Sequence, residues 1–485
     1  MILDGFRPKL VWQYFELMSS VPRGSGNTDQ ISKLLYEEGK KLGFDTERDL
    51  SGNVKIEVPA SEGYENVPPV ILQAHMDMVC VTDASCAKDM RCEPVSLCSD
   101  GKKVWADGTS LGADDGIGIA LILAVLADRE QKHPAIEAVF TVDEETGMYG
   151  ARDLDKGSLK AKRMIGIDSG TFGVFTCGCA GGSEINISLP VVRETLNAGD
   201  AGFKLVIEGL KGGHSGACIH KGYANANRLM ARLLYGLSLK TRVRIASFEG
   251  GQAGNAITDR CEAVAVVPKE QAADFERLAV KHEKLFLYEY GKADPGIRII
   301  IEPLKADDCP CDCVIFERSK AASRLLCTIP DGVRSMSKDL DNLVQTSSNL
   351  GIVRLERGSF EALSLLRSSD PEEREEVIKL YEQIVQHDKG SLSITGEYPA
   401  WVYRKASPLR DLAVEVYREQ TGKEAVIEAT HAGLEGGIFD EAIEDLDAIN
   451  IGPDLSGIHS PKETVDIASV EKCYAFLCRM LEKMH

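Results

Sequence analysis

The stretch that decides the fold runs from residue 70 to residue 77 and reads Val70-Ile71-Leu72-Gln73-Ala74-His75-Met76-Asp77. Its apolar first half is typical of a strand buried on both faces of a parallel sheet. Side chains two apart in a strand point the same way, so we expect His75 and Asp77 to leave the strand end side by side. Proteins often orient a metal-binding imidazole with a neighbouring carboxylate. His75 is therefore a candidate metal ligand, and Asp77 is the candidate carboxylate that orients it.

Strands and helices alternate on either side of this stretch. Before residue 183 the pattern predicts strands at Val54–Val58, Val70–Ala74, Ile136–Val142 and Met164–Ile167 and a helix at Gly116–Asp128. After Gly396 it predicts a helix at 407–421 and strands at Ala425–Glu428 and Asp447–Ile451. This alternation indicates an α/β fold with a mostly parallel sheet.

The pattern changes between these two regions. Apolar and polar residues alternate over Ile185–Leu189 and Phe203–Glu208, as in half-exposed antiparallel strands. Charged helices are predicted at Lys269–Tyr290 and Glu372–Gln386. We therefore predict a discontinuous α/β domain formed by residues 1–183 and 396–485, interrupted by an inserted α+β domain at residues 184–395, which would act as a lid.

The composition narrows the range of partners. With 485 residues the chain is too long for one compact core. Its 75 acidic side chains against 56 basic ones give a formal charge of -19, which argues against nucleic acid or an anionic membrane as the main partner. No apolar run has membrane-spanning length and the start does not resemble a signal peptide, so we expect a cytoplasmic protein.

We interpret the 14 cysteines as reduced thiols, with incidental metal binding left open for Cys309, Cys311 and Cys313.

Polar side chains with ligand chemistry follow the predicted strands. They are His75, Asp77, Asp114, Glu144, Glu145, Asp168 and His459. Ligands of open α/β sheets bind beyond the carboxyl ends of the strands. Acids gathered there without a basic residue repel one another unless cations are bound. Mixed histidine and carboxylate ligands suit zinc or manganese, and their number suits two metals bridged by one carboxylate.

Each of these residues also has a simpler interpretation. His75 could be a hydrogen-bonded core residue, the turn at residues 112–116 could cap a helix, and Glu144 and Glu145 could lie in a solvated loop. The metal hypothesis depends on all of them falling at strand ends of one sheet.

The motifs resemble, in order, the five-part pattern of the dinuclear zinc peptidases of carboxypeptidase G and aminoacylase type. These motifs are His75-Met76-Asp77, Gly112-Ala113-Asp114-Asp115-Gly116, Asp143-Glu144-Glu145-Thr146-Gly147, Ile167-Asp168 and Ile458-His459. Two further motifs resemble the aminoacyl-histidine (Xaa-His) dipeptidase branch: Gly212-Gly213-His214-Ser215-Gly216 and His431-Ala432-Gly433-Leu434-Glu435-Gly436-Gly437. The resemblance covers nearly the whole chain.

The resemblance implies two divalent metal ions per chain, with Zn²⁺ favoured and Co²⁺ or Mn²⁺ as alternatives. His75 and Asp168 would hold one ion, and Glu145 and His459 would hold the other. Asp114 would bridge the two, because the family pattern places the bridging acid directly after the small residue.

The resemblance also implies how the reaction proceeds. A water molecule bridging the two zinc ions would attack the peptide carbonyl, with Glu144 as the general base. Asp77 would orient His75 from behind. No covalent intermediate with the enzyme would form.

The remaining site residues would contact the substrate. By resemblance, His214 would stabilise the oxyanion, and Asn255 and Arg367 would bind the substrate backbone and its C-terminal carboxylate. Gly433 would line the substrate side of the site, where Glu435 could meet a free amino terminus or could be a solvated loop acid.

The expected function is therefore metal-dependent hydrolysis of dipeptides, with Xaa-His dipeptides as the favoured substrates. A general dipeptidase, a tripeptidase or an N-acyl amino acid deacylase of the same family is the alternative enzyme. A non-enzymatic binding protein is disfavoured because Glu144 and all five ligand candidates are present. Monomer and homodimer are both compatible with the sequence.

Overall fold

The structure is a computed structural model and describes residues 2–305 and 307–485. The helices are α1 Lys9–Ser19, α2 Asp29–Lys41, α3 Ala113–Ala127, α4 Tyr149–Asp153, α5 Ser215–Cys218, α6 Ala226–Ser238, α7 Ala272–Tyr290, α8 Phe316–Thr328, α9 Pro371–His387, α10 Pro408–Thr421, α11 Glu435–Ala442 and α12 Ile467–Lys483. The strands are β1 Asp45–Arg48, β2 Val54–Val58, β3 Val70–His75, β4 Leu97–Ser99, β5 Lys103–Ala106, β6 Ile136–Thr141, β7 Arg163–Gly166, β8 Val174–Cys179, β9 Gly181–Pro190, β10 Arg193–Thr195, β11 Asp200–Glu208, β12 Gly213–His214, β13 Arg244–Gly250, β14 Ala256–Ile257, β15 Cys261–Pro268, β16 Arg298–Pro303, β17 Asp312–Val314, β18 Gly332–Met336, β19 Val344–Leu355, β20 Ser359–Ser368, β21 Ser391–Tyr398, β22 Val426–Thr430, β23 Asp447–Asn450, β24 Leu455–Ser456 and β25 Thr464–Asp466.

The chain forms two compact units, each with its own apolar core. The first unit consists of the residues up to Cys179 together with Trp401–Ala429 and Leu434–His485. The second unit consists of Ala180–Ala400 and Thr430–Gly433. The sequence-derived domain boundaries at residues 184 and 396 stay a prediction.

The main sheet of the first unit has the strand order β1-β2-β6-β3-β7-β23-β8-β22. Its four central strands, β6, β3, β7 and β23, run parallel to one another. Strands β1 and β2 pair antiparallel with each other and with β6, and β8 pairs antiparallel with β23. The predicted α/β class is therefore confirmed, with parallel pairing among the four central strands. The carboxyl ends of the four central strands lie at one edge.

Burial explains why the central segments form strands. All six residues of β3 and all six of β6 are buried, as their nearly continuous apolar sequence requires. Helix α3 is also almost entirely buried and contacts both β3 and α1. The backbone is non-helical at Asp114 and Asp115, so the regular part of α3 starts at the predicted Gly116 and leaves both aspartates on the turn before it.

The second unit is built on an antiparallel sheet. Its main strands follow the order β16-β11-β15-β13-β19-β20-β9-β21, and β18 pairs with β19. Helix α6 packs against β15 and β19, and α9 packs against β20 and β21. Helices packed on an antiparallel sheet form the α+β architecture that the alternating sequence predicts.

Three observations bear on the expectations drawn from composition. Among the residues that the structure describes, no helix combines the length and the apolar character that crossing a membrane requires. All 14 cysteines are free thiols. Within the same residues, the cysteines near residue 311 do not gather into a group that could hold a metal ion.

Candidate metal centre

The candidate ligands of the first unit follow the carboxyl ends of the four parallel strands. Strand β3 ends at His75, β6 leads into Glu144 and Glu145, β7 leads into Asp168, and the loop after β23 carries His459. Asp114 lies on the turn that starts α3, which packs against β3. Five separate stretches of sequence therefore converge, four of them because parallel strands end at the same edge of a sheet.

Asp114 lies between the two histidines of the site. Its Oδ1 is 3.1 Å from Nε2 of His75, and its Oδ2 is 3.2 Å from Nε2 of His459. These hydrogen bonds outweigh burial and hold the pKa of the Asp114 carboxyl below its ordinary value. Each carboxylate oxygen thus faces a different histidine, which is the arrangement that a bridging ligand needs.

Asp115 has a different environment from its neighbour. The peptide bond between the two aspartates is cis. The Asp115 carboxylate accepts the backbone N–H groups of His75 and Gly118, each at 3.2 Å. Complete burial raises the pKa of Asp115 well above its ordinary value. Of the two aspartates, the structure therefore places Asp114 among the candidate ligands and gives Asp115 backbone partners.

Among the residues that the structure describes, three overlapping groups of side chains could hold a metal ion, with ligand atoms within 4.8 Å of one another in each group. The groups are His75, Asp114 and Asp168; Asp114, Glu145 and His459; and His75, Glu144 and Glu145. The first two share Asp114 and together contain every ligand named from the sequence. Glu144 belongs to the third group, so the candidate base lies beside the ligands.

The charges in the site are those of a cation-binding centre. Burial raises the pKa of Asp168 well above its ordinary value, and the nearby Asp114 carboxylate raises it further. Hydrogen bonds to Asp114 and Glu145 raise the pKa of His459 to about 10. Packing acids this closely is costly unless positive charge is present, and the histidine and carboxylate donors suit zinc or manganese. The donor set therefore fits a pair of divalent ions.

Asp77 holds two parts of the site together. Its Oδ1 lies 3.4 Å from Nδ1 of His75. The carboxylate also accepts the backbone N–H groups of Glu144 at 3.0 Å and Glu145 at 3.2 Å, and the hydroxyl of Ser25 at 2.7 Å. Burial would raise the pKa of Asp77, but these partners lower it to about 2.

Glu144 and Glu435 are two acids near the candidate ligands, and Glu144 is partly buried whereas Glu435 is buried. Burial, opposed by His75 and reinforced by the nearby Glu435 carboxylate, raises the pKa of Glu144 to about 8. Glu435 starts α11, and its Oε2 accepts hydrogen bonds from Gln73 at 2.6 Å and Thr141 at 2.7 Å. Its Oε1 is buried and has no hydrogen-bond partner among the residues that the structure describes, and burial raises the pKa of Glu435 to about 7. Glu435 is therefore not a solvated loop acid.

The second unit brings two of the predicted substrate residues together. The short strands β12 and β14 pair His214 with Ala256, next to Asn255. The backbone N–H of Ser215 donates to the carbonyl of Asn255 at 2.8 Å. His214 and Asn255 are both exposed, so a ligand can reach them, and Nδ1 of His214 accepts the backbone N–H of Ala217 at 3.3 Å.

Arg367 lies in a second polar group of this unit. Only 5% of Arg367 is exposed, and its Nη1 donates to the hydroxyl of Tyr398 at 2.6 Å. Its Nε has no hydrogen-bond partner within the described part of the chain. Beside it, His431 Nε2 lies 2.7 Å from the Ser347 hydroxyl; burial and the positive charge of Arg367 lower the pKa of His431 to about 3. Gly433 follows on the same loop and is partly buried.

Comparison with known proteins assigns the family. The model of peptidase family M20/M25/M40 matches residues 71–483. The chain belongs to this family. The family predicted from the motifs is thereby confirmed, as is the expected class of enzyme, a peptide-bond hydrolase.

Relatives of this M20-family peptidase match along its full length. The cytosol non-specific dipeptidase of Escherichia coli (strain K12) is 34% identical over 482 residues, which are 99% of this chain and 99% of the relative. The crystal structure of aminoacylhistidine dipeptidase from Vibrio alginolyticus has a TM-score of 0.92 and 33% identity, covering 99% of this chain and 97% of that one. A tripeptidase of Staphylococcus aureus has a TM-score of 0.57 at 17% identity, with 99% of each chain covered, and shows the fold alone.

Two residues of this M20-family peptidase belong to the surroundings of the site although sequence reasoning missed them. The Arg23 guanidinium donates to the carbonyls of Met76 at 2.9 Å, Asp77 at 3.2 Å and Gly112. The Glu463 carboxylate accepts backbone N–H groups from the turn that carries Asp114. Both bind backbone atoms, which leave no pattern in the sequence. The only local signal is that Glu463 is an acid four residues after His459.

Proposed function

We propose that this chain is a dipeptidase that uses two divalent metal ions. The observation that carries the proposal is the position of Asp114, whose two carboxylate oxygens face His75 and His459 separately. Asp168 groups with the first histidine and Glu145 with the second. His75, Asp114 and Asp168 would hold one ion, and Asp114, Glu145 and His459 would hold the other.

Zn²⁺ is the proposed ion at both positions, and Co²⁺ or Mn²⁺ could replace it. Imidazole nitrogens and carboxylate oxygens, which are common ligands of Zn²⁺, support this choice. Bound metal would supply Lewis-acid polarisation of the substrate carbonyl and would lower the pKa of water toward neutrality.

Glu144 is the proposed general base. Its carboxylate lies close enough to His75 and Glu145 to form a ligand-sized group with them. Its pKa is raised to about 8 by burial, opposed by His75 and reinforced by neighbouring carboxylates, and positive charge at the site would bring it down toward neutral pH. A carboxyl with a pKa near the working pH takes a proton from water and returns it to the leaving amine efficiently. Asp77 would orient His75 and, through two backbone bonds, hold the Glu144 turn.

The proposed substrates are dipeptides with both ends free, and Xaa-His dipeptides are favoured. Glu435 would bind the amino end, and its buried, unpartnered Oε1 supports this. Arg367 would bind the carboxylate end, supported by its unpartnered Nε. Asn255 would bind the substrate backbone, His214 would stabilise the oxyanion, and Gly433 would line the substrate side.

The two most informative relatives support different breadths of specificity. The Escherichia coli relative is named non-specific, whereas the Vibrio alginolyticus relative is named for aminoacyl-histidine substrates. We therefore propose activity on Xaa-His dipeptides that extends to other dipeptides. We also propose action in the cytoplasm, where the Escherichia coli relative works by its name. The proposed enzyme would act as a monomer or as a homodimer.

One experiment tests the function directly. Purified protein is assayed on a panel that contains β-alanyl-histidine, other Xaa-His dipeptides, unrelated dipeptides, tripeptides and N-acetylated dipeptides, with metal analysis of the same sample. We expect about two metal ions per chain, cleavage of free dipeptides and no cleavage after acetylation. Treatment with a chelator should abolish activity, and added Zn²⁺ should restore it. Preference for the acetylated compounds would indicate a deacylase, and full activity without metal would refute the two-metal proposal.

A further inference from the structure

The carboxylate of Glu463 is enclosed by the turn that carries Asp114. Glu463 is 2% exposed and belongs to the same unit as the metal centre. Its Oε2 accepts the backbone N–H groups of Leu111 and Gly112, both at 2.9 Å. Its Oε1 accepts those of Ala113 at 2.8 Å and Asp114 at 3.2 Å. One side chain therefore satisfies four consecutive amides of the turn.

These four bonds restrain the turn strongly. Hydrogen bonds from N–H groups to an ionised carboxylate are shorter and about twice as strong as bonds between neutral groups. The last of the four amides belongs to Asp114 itself, so the carboxylate fixes the backbone from which the proposed bridging side chain extends.

Glu463 is also connected through the backbone to His459, the candidate ligand on the other side of the site. It follows His459 by four residues, across a compact turn. The backbone N–H of Glu463 donates to the carbonyl of Ser460 at 3.1 Å, and the Ser460 hydroxyl donates to the carbonyl of Gly457 at 2.6 Å. His459 has a positive φ of 59°, a conformation that is uncommon for non-glycine residues, although histidine adopts it more readily than most.

We propose that Glu463 is a positioning residue for the metal centre, which sets the separation of Asp114 from His459 by clamping the turn of the former to the loop of the latter. This inference rests on the proposed function, in which both residues hold the same ion. Glu463 would touch neither metal nor substrate, and it would raise the affinity for the ion held by Asp114, Glu145 and His459.

If Glu463 only stabilised the fold, its loss would not affect metal binding specifically. Another buried carboxylate of the chain, Glu137, provides a matched control. Glu137 is also a buried carboxylate, 4% exposed, and also binds backbone amides, those of Lys160 and Ala161 at 3.0 to 3.1 Å. It lies near the amino end of β6, at the opposite end of the strand from Glu144 and Glu145. Loss of either carboxylate should lower stability, but only Glu463 should affect the metal.

The test compares Glu463→Gln with Glu137→Gln. In the first variant one end of the side chain becomes an NH₂ group that faces two backbone N–H donors, so at least two of the four bonds are lost. Chelator-stripped proteins are titrated with Zn²⁺ in competition with a chromophoric chelator, which yields the dissociation constants of both ions. Urea unfolding of the metal-free proteins measures stability separately.

We expect one Zn²⁺ to bind about 10–100-fold more weakly in Glu463→Gln, the usual effect of removing a group that orients a ligand. Glu137→Gln should bind both ions within about twofold of the unchanged protein. Unchanged Zn²⁺ binding in folded Glu463→Gln, or equal weakening in both variants, would overturn the inference. If the glutamine variant does not fold, Glu463→Asp and Glu137→Asp give the same comparison with a shorter carboxylate. Failure of the unchanged protein to bind two Zn²⁺ ions would instead overturn the proposed function.

Discussion

The carboxylate of Asp77 accepts the backbone N–H of Glu144 at 3.0 Å. The same carboxylate faces Nδ1 of His75 at 3.4 Å, so one side chain joins the end of β3 to the turn after β6. The candidate ligand and the candidate base thus share a support, and a change at Asp77 should disturb both.

Replacing Asp77 with Asn tests this shared support. The amide places an NH₂ group among the N–H donors of Glu144 and Glu145 and the hydroxyl of Ser25, so at least one hydrogen bond is lost. We expect about a 10–100-fold loss of metal affinity together with a lower kcat. Zn²⁺ titration and steady-state kinetics measure both, with the exposed Asp83→Asn as the control. Normal affinity and normal kcat would show that Asp77 orients neither residue.

Glu144→Gln should separate metal binding from chemistry. The amide keeps the shape of the side chain but cannot accept a proton, so kcat should fall about 10²–10⁴-fold. Metal analysis of the same sample should still find two ions per chain. Exposed Glu130→Gln serves as the control and should be fully active. A variant that turns over at a near-normal rate would place the base elsewhere.

Glu435 should give the metal-free protein a distinctive dependence of stability on pH. Burial raises its pKa from 4.5 to about 7, so the folded protein binds a proton more tightly than the unfolded chain. The free energy of unfolding should therefore fall as the pH rises from about 4.5 to about 7, by up to about 3 kcal/mol. Urea unfolding at pH 5 and 7.5 should show a smaller fall in Glu435→Gln. Exposed Glu471→Gln should behave like the unchanged protein, and an unaltered slope in Glu435→Gln would contradict the assignment.

Arg23→Met should be among the most destabilising single changes in the first unit. The buried guanidinium donates to the carbonyls of Met76, Asp77 and Gly112, all on segments that carry site residues. Its loss leaves buried acceptors unpaired and should cost about 3–5 kcal/mol of unfolding free energy. Denaturant unfolding measures this. Arg91, whose side chain is 88% exposed, provides the control, and its change to Met should cost under about 0.5 kcal/mol.

Arg367→Lys should raise KM selectively. If the guanidinium binds the C-terminal carboxylate of the substrate, lysine loses the forked geometry and KM should rise about 10–100-fold. Dipeptides amidated at the C-terminus should be affected much less, because they lack the partner charge. Exposed Arg357→Lys is the matched control. An equal rise in KM for free and amidated dipeptides would remove Arg367 from carboxylate recognition.

The part of the fold that carries the site could be predicted because its sequence pattern is strong. Strands β3 and β6 are buried along their whole length and read as apolar runs, and the polar residues that follow them mark the strand ends. Parallel pairing then places those ends together, which explains why Asp168 and His459 could be predicted as site residues, whereas the choice of Asp114 over Asp115 depended on the resemblance to the family pattern.

Other elements could not be predicted because their interiors are polar. Strand β19 buries Thr346, Ser347 and Ser348, which read as loop residues in the sequence. In the structure Thr346 bonds Ser368 and Glu373, Ser347 bonds His431, and Ser348 accepts the hydroxyl of Tyr381. Such partners lie far apart in the chain, so only the folded protein shows that the polar groups are satisfied. Arg23 and Glu463 could not be predicted as site residues for the same reason, because their partners are backbone atoms.

The strand order of the first unit also determines when its main sheet can be completed during synthesis of the chain. Strand β23 lies between β7 and β8, which end at Gly166 and Cys179, whereas β23 begins only at Asp447. A nascent chain therefore carries both neighbours long before the strand that joins them leaves the ribosome. Until then β7 has an unpaired edge, and neither His459 nor Glu463 is present. A polypeptide truncated within the second unit would thus combine an exposed sheet edge with a ligand set that lacks His459, and quality control should recognise it as incomplete.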